Sequence, residues 1–202
     1  MSLKTRLSYL VIGWLSCCLI YVASGFVREA TWIIPETQIE RFIPFNPHGI
    51  WLYLGFYVYI PYTFITLKEE SGIKRITFAF VLTACISGIL FILLPSTLVF
   101  PHFKPDGVSA SLLYFISEND TEQNCFPSMH ASLITICTLA NWNNRNVLKN
   151  IGLIVLTIGM YYSIIAVRRH VFIDLAGGII LAALVWWLSK IFLSNSPKQD
   201  VL

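Results

Sequence analysis

Charge is scarce in this sequence: only 12% of its 202 residues are Asp, Glu, Lys or Arg, and the net charge is +3. No basic block stands out, so the sequence does not indicate a nucleic-acid partner. The five cysteines are an odd number without regular spacing, which argues against a disulfide framework or a zinc site. We also recognise no internal repeat and no soluble domain.

Apolar residues make up 56% of the chain, and the mean hydropathy is +0.69. They are gathered in runs, several of which are long enough to cross a bilayer. We therefore predict an all-α fold: a polytopic membrane protein with six transmembrane helices in a bundle, forming a single membrane domain over residues 1–202. The expected spans are 7–26, 48–67, 76–100, 128–142, 151–167 and 171–193, with an outer loop at 101–126 and a disordered polar tail from Ser194.

The first run allows a second interpretation. Ala23-Ser24-Gly25 offers small residues at its end, as in a cleavable signal peptide. Its length favours a spanning helix. Residues 27–48 mix charges, three prolines and isolated apolar pairs, which favours a short interfacial segment. Aromatic residues near the ends of runs, Tyr53 among them, are typical of membrane-interface anchors.

The distribution of Lys and Arg predicts the orientation of the helices. Six spans put both termini on one side, and nine of the 14 Lys and Arg residues lie on that side. The positive-inside rule makes it the cytoplasmic side. We therefore expect an integral protein of the bacterial inner membrane, with its active site on the periplasmic face.

Two polar segments lie on that outer face. The first, 124–132, closes the outer loop and opens the fourth run. Pro127 suits the first turn of a helix, where its missing N–H costs nothing. Ser128 and His130 then fall in or beside that turn, where free backbone N–H groups attract anions. The second segment is Arg168-Arg169-His170-Val171-Phe172-Ile173-Asp174.

His170 and Asp174 are four residues apart at the expected start of the sixth helix, so they share one helix face. Such an Asp can accept from one imidazole nitrogen and leave the other free as a nucleophile or base. An acid inside an apolar run is costly and indicates function. The alternative is an Asp that only caps the helix or pairs with Arg169.

His130 stands at the other helix start. Two histidines from different helices can flank one phosphorus atom, one attacking it and the other protonating the leaving oxygen. The alternative for His130 alone is a satisfied interfacial histidine. Its pairing with His170 on the same membrane side favours the catalytic interpretation.

Three cations are candidate phosphate ligands. Arg168 and Arg169 carry guanidinium groups, which match phosphate oxygens in a bidentate fork, and Lys104 adds an outer-face charge. The alternatives are contacts with lipid headgroups for the arginines and a solvated loop position for Lys104. Two His and one Asp are also a possible metal triad. Cationic neighbours repel a metal and attract an anion, so we expect a phosphate site with no metal and no cofactor.

These residues resemble a known family. Phe126-Pro127-Ser128-Met129-His130 is similar to the Pro-Ser-x-His motif of the type 2 phosphatidic acid phosphatase superfamily, which also includes vanadium haloperoxidases. His170-x-x-x-Asp174, followed by Gly177, is similar to the last motif of that superfamily. The resemblance covers residues 76–190, and the expected six helices agree with it.

The resemblance implies a mechanism. His170 attacks phosphorus and becomes a phosphohistidine, Asp174 orients His170, and His130 protonates the leaving group. Ser128, backbone N–H groups and the basic residues hold the phosphate oxygens. Water then releases phosphate, and no metal is required.

The chain also departs from the family pattern. The first motif, Lys-x6-Arg-Pro, is not present as such; Lys104 in Phe103-Lys104-Pro105 stands where its Arg-Pro end belongs. Ile164 replaces the arginine that normally begins the last motif, which leaves Arg168 or Arg169 to take that role. These changes, with Ile43-Pro44-Phe45-x-Pro47, resemble the branch of inositol phosphorylceramide synthases and bacterial lipid phosphatases. The acceptor stays open: water, or a lipid or sugar hydroxyl.

Three functions follow for comparison. The first is hydrolysis of a lipid phosphomonoester or pyrophosphate in the outer leaflet, which the short loops favour because they offer no separate acceptor domain. The second is phosphotransfer between lipids through the same phosphohistidine. The third is a silent membrane scaffold or transporter, disfavoured because all three catalytic residues are present. The expected partners are the bilayer and a lipid phosphate; the sequence indicates neither which lipid nor an oligomeric state.

Overall fold

The computed structural model describes residues 1–27 and 29–194. These residues form eight α-helices: α1 (Leu3–Gly25), α2 (Gln38–Phe42), α3 (Ile50–Thr66), α4 (Glu70–Leu93), α5 (Gly107–Asn119), α6 (Met129–Asn141), α7 (Val147–Ala166) and α8 (Phe172–Ser194). Two short strands, β1 (Trp32–Ile33) and β2 (Ser96–Thr97), pair in parallel with Trp32 opposite Ser96. The all-helical prediction is confirmed. The tail predicted to be disordered falls on residues 195–202, outside the described residues.

Four helices are long and apolar enough to cross a membrane: α1, α4, α7 and α8. The other two helices in predicted spans are shorter, since α3 has 17 residues and α6 has 13. Six transmembrane helices were expected, and four helices among the described residues have the length and composition of a membrane span.

Large apolar side chains on these helices point outward, while polar ones point inward. Leu19 on α1 is 60% exposed and Val155 on α7 is 65% exposed. An outer surface of this kind fits hydrocarbon rather than water, because soluble proteins rarely expose contiguous apolar patches. The chain therefore has the surface of an integral membrane protein.

The centre of the bundle is α6, which packs against α3, α4, α7 and α8. Buried hydroxyl and amide groups join it to its neighbours. Thr138 Oγ1 lies 2.6 Å from Thr157 Oγ1 on α7 and 3.2 Å from the Tyr59 hydroxyl on α3. The Asn141 amide donates to Thr63 Oγ1 at 2.9 Å. Hydrogen bonds between apolar helices add to van der Waals packing where the hydrophobic effect is weak.

The segment 101–126, expected as a loop, contains α5. Its buried face is Ser109, Ala110 and Leu113, the i and i+3 or i+4 positions of a helix. Ser109 Oγ accepts the indole N–H of Trp51 and lies 3.0 Å from His48 Nδ1, which ties α5 to the turn before α3. The segment is therefore partly helical and is packed against the start of α3 and the turn before it.

Pro127 lies outside the first turn of α6, contrary to the prediction. Ser128 is the N-cap residue, because its Oγ accepts the backbone N–H of Ala131 at 3.2 Å. Pro127 consequently precedes the cap. His170 likewise lies two residues before the first residue of α8, while Asp174 lies in its first turn.

Candidate active site

The side chains of His170 and Asp174 are in direct contact. His170 Nδ1 lies 2.6 Å from Asp174 Oδ2, and both residues are buried. The other carboxylate oxygen accepts the backbone N–H of Val171 at 2.9 Å, which caps the start of α8. Asp174 thus does both things that the sequence offered as alternatives: it caps the helix and it orients the imidazole. With Nδ1–H donated to Asp174, the lone pair of His170 is on Nε2.

His130 faces that lone pair. Its Nδ1 lies 3.4 Å from His170 Nε2, and its Nε2 lies 3.1 Å from the hydroxyl of Tyr53 on α3. If Nε2–H donates to the Tyr53 oxygen, Nδ1 is the nitrogen that gains and loses a proton beside His170. Asp174, His170, His130 and Tyr53 therefore form one continuous chain of hydrogen-bonding groups. Tyr53, expected as an interface anchor, is only 2% exposed.

The start of α6 approaches α8 closely, which brings the two histidines together. The Ser128 N–H donates to the Asp174 carbonyl at 2.9 Å, and Ser132 Oγ donates to the Gly178 carbonyl at 2.9 Å. A Cβ on Gly178 would lie 2.3 Å from the backbone carbonyl oxygen of Ser128. Only glycine allows this approach, because a side chain at position 178 would collide with the backbone at the start of α6. Small residues permit close packing of transmembrane helices in the same way.

Arg169 lies beside the histidines. It is 7% exposed, and its Nη2 donates to Asp120 Oδ2 at 2.7 Å. Burial, the largest single effect, lowers the pKa of Arg169, but the Asp120 carboxylate together with Tyr53 and Tyr21 raises it above its ordinary value. Its Nε is buried and has no hydrogen-bond partner among the described residues. Arg169 thus keeps a positive charge and one free donor at the site.

Arg168 has a different environment. Its Nη2 donates to the backbone carbonyls of Glu40 at 3.0 Å and Ile43 at 2.9 Å. Lys104 is exposed and lines neither of the cavities that meet Arg169. The structure therefore brings Ser128, His130, Arg169, His170 and Asp174 together. Arg168 donates to the α2 segment, but it also lines one of these cavities, and its Nη1 is buried without a hydrogen-bond partner among the described residues. Lys104 stands apart.

Two larger cavities meet near this cluster. A mainly apolar cavity has His130 and His170 in its wall and is also lined by Trp14 and Cys18 of α1 and Tyr57 of α3. A more polar cavity of about 920 Å³ lies under α5 and is bounded on the inside by Arg169. A small third cavity, with Arg169 and both histidines in its wall, lies between them. The apolar cavity thus reaches the histidines directly, whereas the polar cavity reaches Arg169 and is separated from the histidines by the small third cavity.

Within residues 1–27 and 29–194, no group of three or more His, Cys, Asp and Glu side chains is placed to hold a metal ion. The titratable cluster instead pairs two histidines with one cation and two carboxylates.

Sequence reasoning missed Tyr53 and Asp120, which both contact predicted site residues. Tyr53 stands in an apolar run, where an aromatic residue indicates nothing special. Asp120 stands in a loop with other acids. Neither carries a local signal, because the partners of Tyr53 and Asp120 lie 77 and 49 residues away in the chain.

Comparison with known families agrees with this geometry. The family model of the PAP2 superfamily matches residues 74–198, more than half of the chain. The matched range contains His130, His170 and Asp174 and leaves α1, α2 and α3 outside. No curated protein matches the sequence. With a family match of this extent over the two histidine segments, the chain belongs to the PAP2 superfamily and is an enzyme of the phosphatase or phosphotransferase type.

Proposed function

We propose that this protein is a metal-independent lipid phosphate phosphatase that hydrolyses a phosphomonoester or pyrophosphate of a lipid in the outer leaflet. One observation carries the proposal: Asp174 contacts Nδ1 of His170, and Nδ1 of His130 faces the other nitrogen of His170, Nε2, at 3.4 Å. That is the arrangement required of a nucleophile, its orienting carboxylate and a proton donor.

In the proposed first step, the Nε2 lone pair of His170 attacks phosphorus and the bond from phosphorus to the lipid oxygen breaks. The leaving oxygen takes the Nδ1 proton of protonated His130. In the second step, water attacks the phosphohistidine and gives a proton to His130 Nδ1. The N–P bond breaks, and inorganic phosphate leaves. Arg169 and the Ser128 hydroxyl are proposed to hold phosphate oxygens during both steps.

We further propose that α1, α3, α4, α6, α7 and α8 are six membrane spans, with both termini in the cytoplasm of a bacterial cell and the histidines on the periplasmic side. The nine Lys and Arg residues on the proposed inner side support this orientation. The apolar lining that α1 and α3 give to the cavity beside the histidines supports a lipid substrate, because an acyl chain fits such a lining.

Transfer of the phosphoryl group to a second hydroxyl is the other candidate. The polar cavity under α5 supports it, because that cavity ends at Arg169 and has room for an acceptor headgroup. The two candidates share the phosphohistidine and differ only in what attacks it.

The decisive experiment uses purified protein in detergent with a panel of lipid phosphates and a chelator of divalent metals. Hydrolysis predicts free phosphate in wild type and none in His170→Ala, with a phosphoenzyme trapped by alkaline quenching in wild type alone. New phospholipid in place of free phosphate would select transfer. Strict dependence on magnesium, or full activity of His170→Ala, would refute the mechanism, and an inactive wild type on every substrate would favour the scaffold interpretation.

A further inference from the structure

The segment around α2 makes hydrogen bonds to the turn between α7 and α8, which contains His170. Glu40 is fully buried, although it stands in a short polar helix. Its Oε1 accepts the backbone N–H of Phe172, the first residue of α8. Its Oε2 accepts the backbone N–H and the hydroxyl of Thr37, at 2.7 and 2.5 Å. One carboxylate thus closes α2 and caps α8 at the same time.

Arg168 makes the reciprocal contact. Its guanidinium donates to the carbonyls of Glu40 and Ile43, at the other end of the same short helix. Its backbone has a φ of +57°, a left-handed conformation that non-glycine residues adopt rarely. Tertiary contacts must hold such a conformation, and the two carbonyls of the α2 segment supply them.

These contacts involve residues on both sides of His170 in the sequence. Arg168 is two residues before it and Phe172 two residues after it, and α2 holds both. The N–H groups at the start of α8 are shared between two carboxylates, because Val171 donates to Asp174 and Phe172 donates to Glu40. The position of α8 relative to His170 therefore depends on a carboxylate 132 residues away.

We infer that Glu40 is a positioning residue for the nucleophile, and that Arg168 serves it from the other side rather than binding phosphate. This inference rests on the proposed function of His170. Glu40 and Arg168 fix the chain on both sides of His170, so that its Nε2 stays aligned with His130. Both contacts come from a segment outside the range that the family model matches.

The contacts of Glu40 distinguish it from a residue that binds substrate. Glu40 lines neither the apolar cavity nor the small cavity between the histidines. Its loss should therefore leave substrate affinity alone and slow the attack by His170, since displacement of a reacting group by about 1 Å can cost about 100-fold in rate.

The experiment compares Glu40→Ala and Glu40→Gln with wild type, by steady-state kinetics and by the rate of phosphoenzyme formation. Glu40→Ala should lower kcat by about 10- to 100-fold with KM nearly unchanged. Glu40→Gln can keep one acceptor for Phe172, but its NH2 group then faces the Thr37 N–H, so it should recover only part of the lost rate. Arg168→Met should lower kcat as Glu40→Ala does, without weakening competitive inhibition by inorganic phosphate. The matched controls are Glu36→Ala and Arg41→Ala, two exposed charges of the same segment, which should behave as wild type.

The outcomes separate this inference from the function on which it rests. Activity in His170→Ala would refute the proposed mechanism. If His170→Ala is inactive and Glu40→Ala keeps the wild-type kcat, only the positioning role is refuted. A loss of phosphate inhibition in Arg168→Met would return Arg168 to the phosphate site. Should Glu40→Ala fail to fold in detergent, Glu40→Gln and Arg168→Met decide: a Gln variant with raised KM and unchanged kcat, or a Met variant with wild-type kcat, overturns the inference.

Discussion

Replacement of Tyr53 by Phe tests the proton-donor role of His130 most directly. The change removes one oxygen atom and leaves the ring of a 2% exposed side chain in place. That oxygen lies 3.1 Å from His130 Nε2. Without it, the Nε2–H of a protonated His130 has no partner in a buried site. A hydrogen bond to a charged group contributes about 1.5–3 kcal/mol, so kcat should fall by about 10- to 150-fold if the full cost falls on proton donation.

The assay measures kcat on a lipid phosphate and on an aryl phosphate whose leaving group needs little protonation. The loss in Tyr53→Phe should be large on the lipid and small on the aryl ester, because His130 has less to do in the second case. Tyr62→Phe on the same helix, with its side chain 54% exposed, is the control. An equal loss on both substrates, or no loss on the lipid, would refute the assignment of His130 as the proton donor.

Three further predictions concern packing, charge and pH. Gly178→Ala would bring a Cβ within 2.3 Å of a backbone oxygen at the start of α6 and should destabilise the fold by about 1–3 kcal/mol in chemical or thermal unfolding, whereas Gly152→Ala has open space and should not. Asp120→Asn frees Arg169 from an ion pair that is partly exposed to solvent, so competitive inhibition by inorganic phosphate should strengthen by about two- to fivefold, and weaker inhibition would contradict the arrangement. Burial alone would raise the pKa of Glu40, but hydrogen bonds from hydroxyl and backbone donors lower that pKa below the ordinary 4.5. The contribution of the Glu40 carboxylate to stability is therefore present above that value and is lost as the pH falls below it. Melting temperature should therefore fall more steeply between about pH 5 and 3 in wild type than in Glu40→Gln.

The sequence was sufficient for those parts of the fold and site that depend on local spacing. Apolar runs located the long helices. His170 and Asp174 meet as expected, although His170 precedes α8 instead of sharing a face of it with Asp174. The meeting of His130 with His170 needed the family resemblance, because two short motifs 40 residues apart do not by themselves specify a distance. The extent of α5 was missed, since its buried face is only a few small or apolar residues in a polar segment.

The contacts that support the site could not be predicted for a different reason. Glu40 reads as one of several charges in an interfacial segment, and its burial depends on a backbone N–H at the start of α8. Arg168 and Arg169 are adjacent and identical in the sequence, yet one binds carbonyls of α2 and the other pairs with Asp120. The backbone conformation of the turn separates them, and no residue pattern encodes that turn.

The span of the contact between Glu40 and Phe172 also sets a sequence of events during synthesis. Arg6 on α1 donates to carbonyls at the end of α3, so all the partners of this contact lie within the first 67 residues. Glu40 must instead wait for Phe172, the first residue of α8. A nascent chain that ends with α7 contains His130, Tyr53 and Glu40 but neither His170 nor Asp174. The two histidines can therefore meet only after the start of α8 has been synthesised, so a chain cut short before it lacks the contact between them.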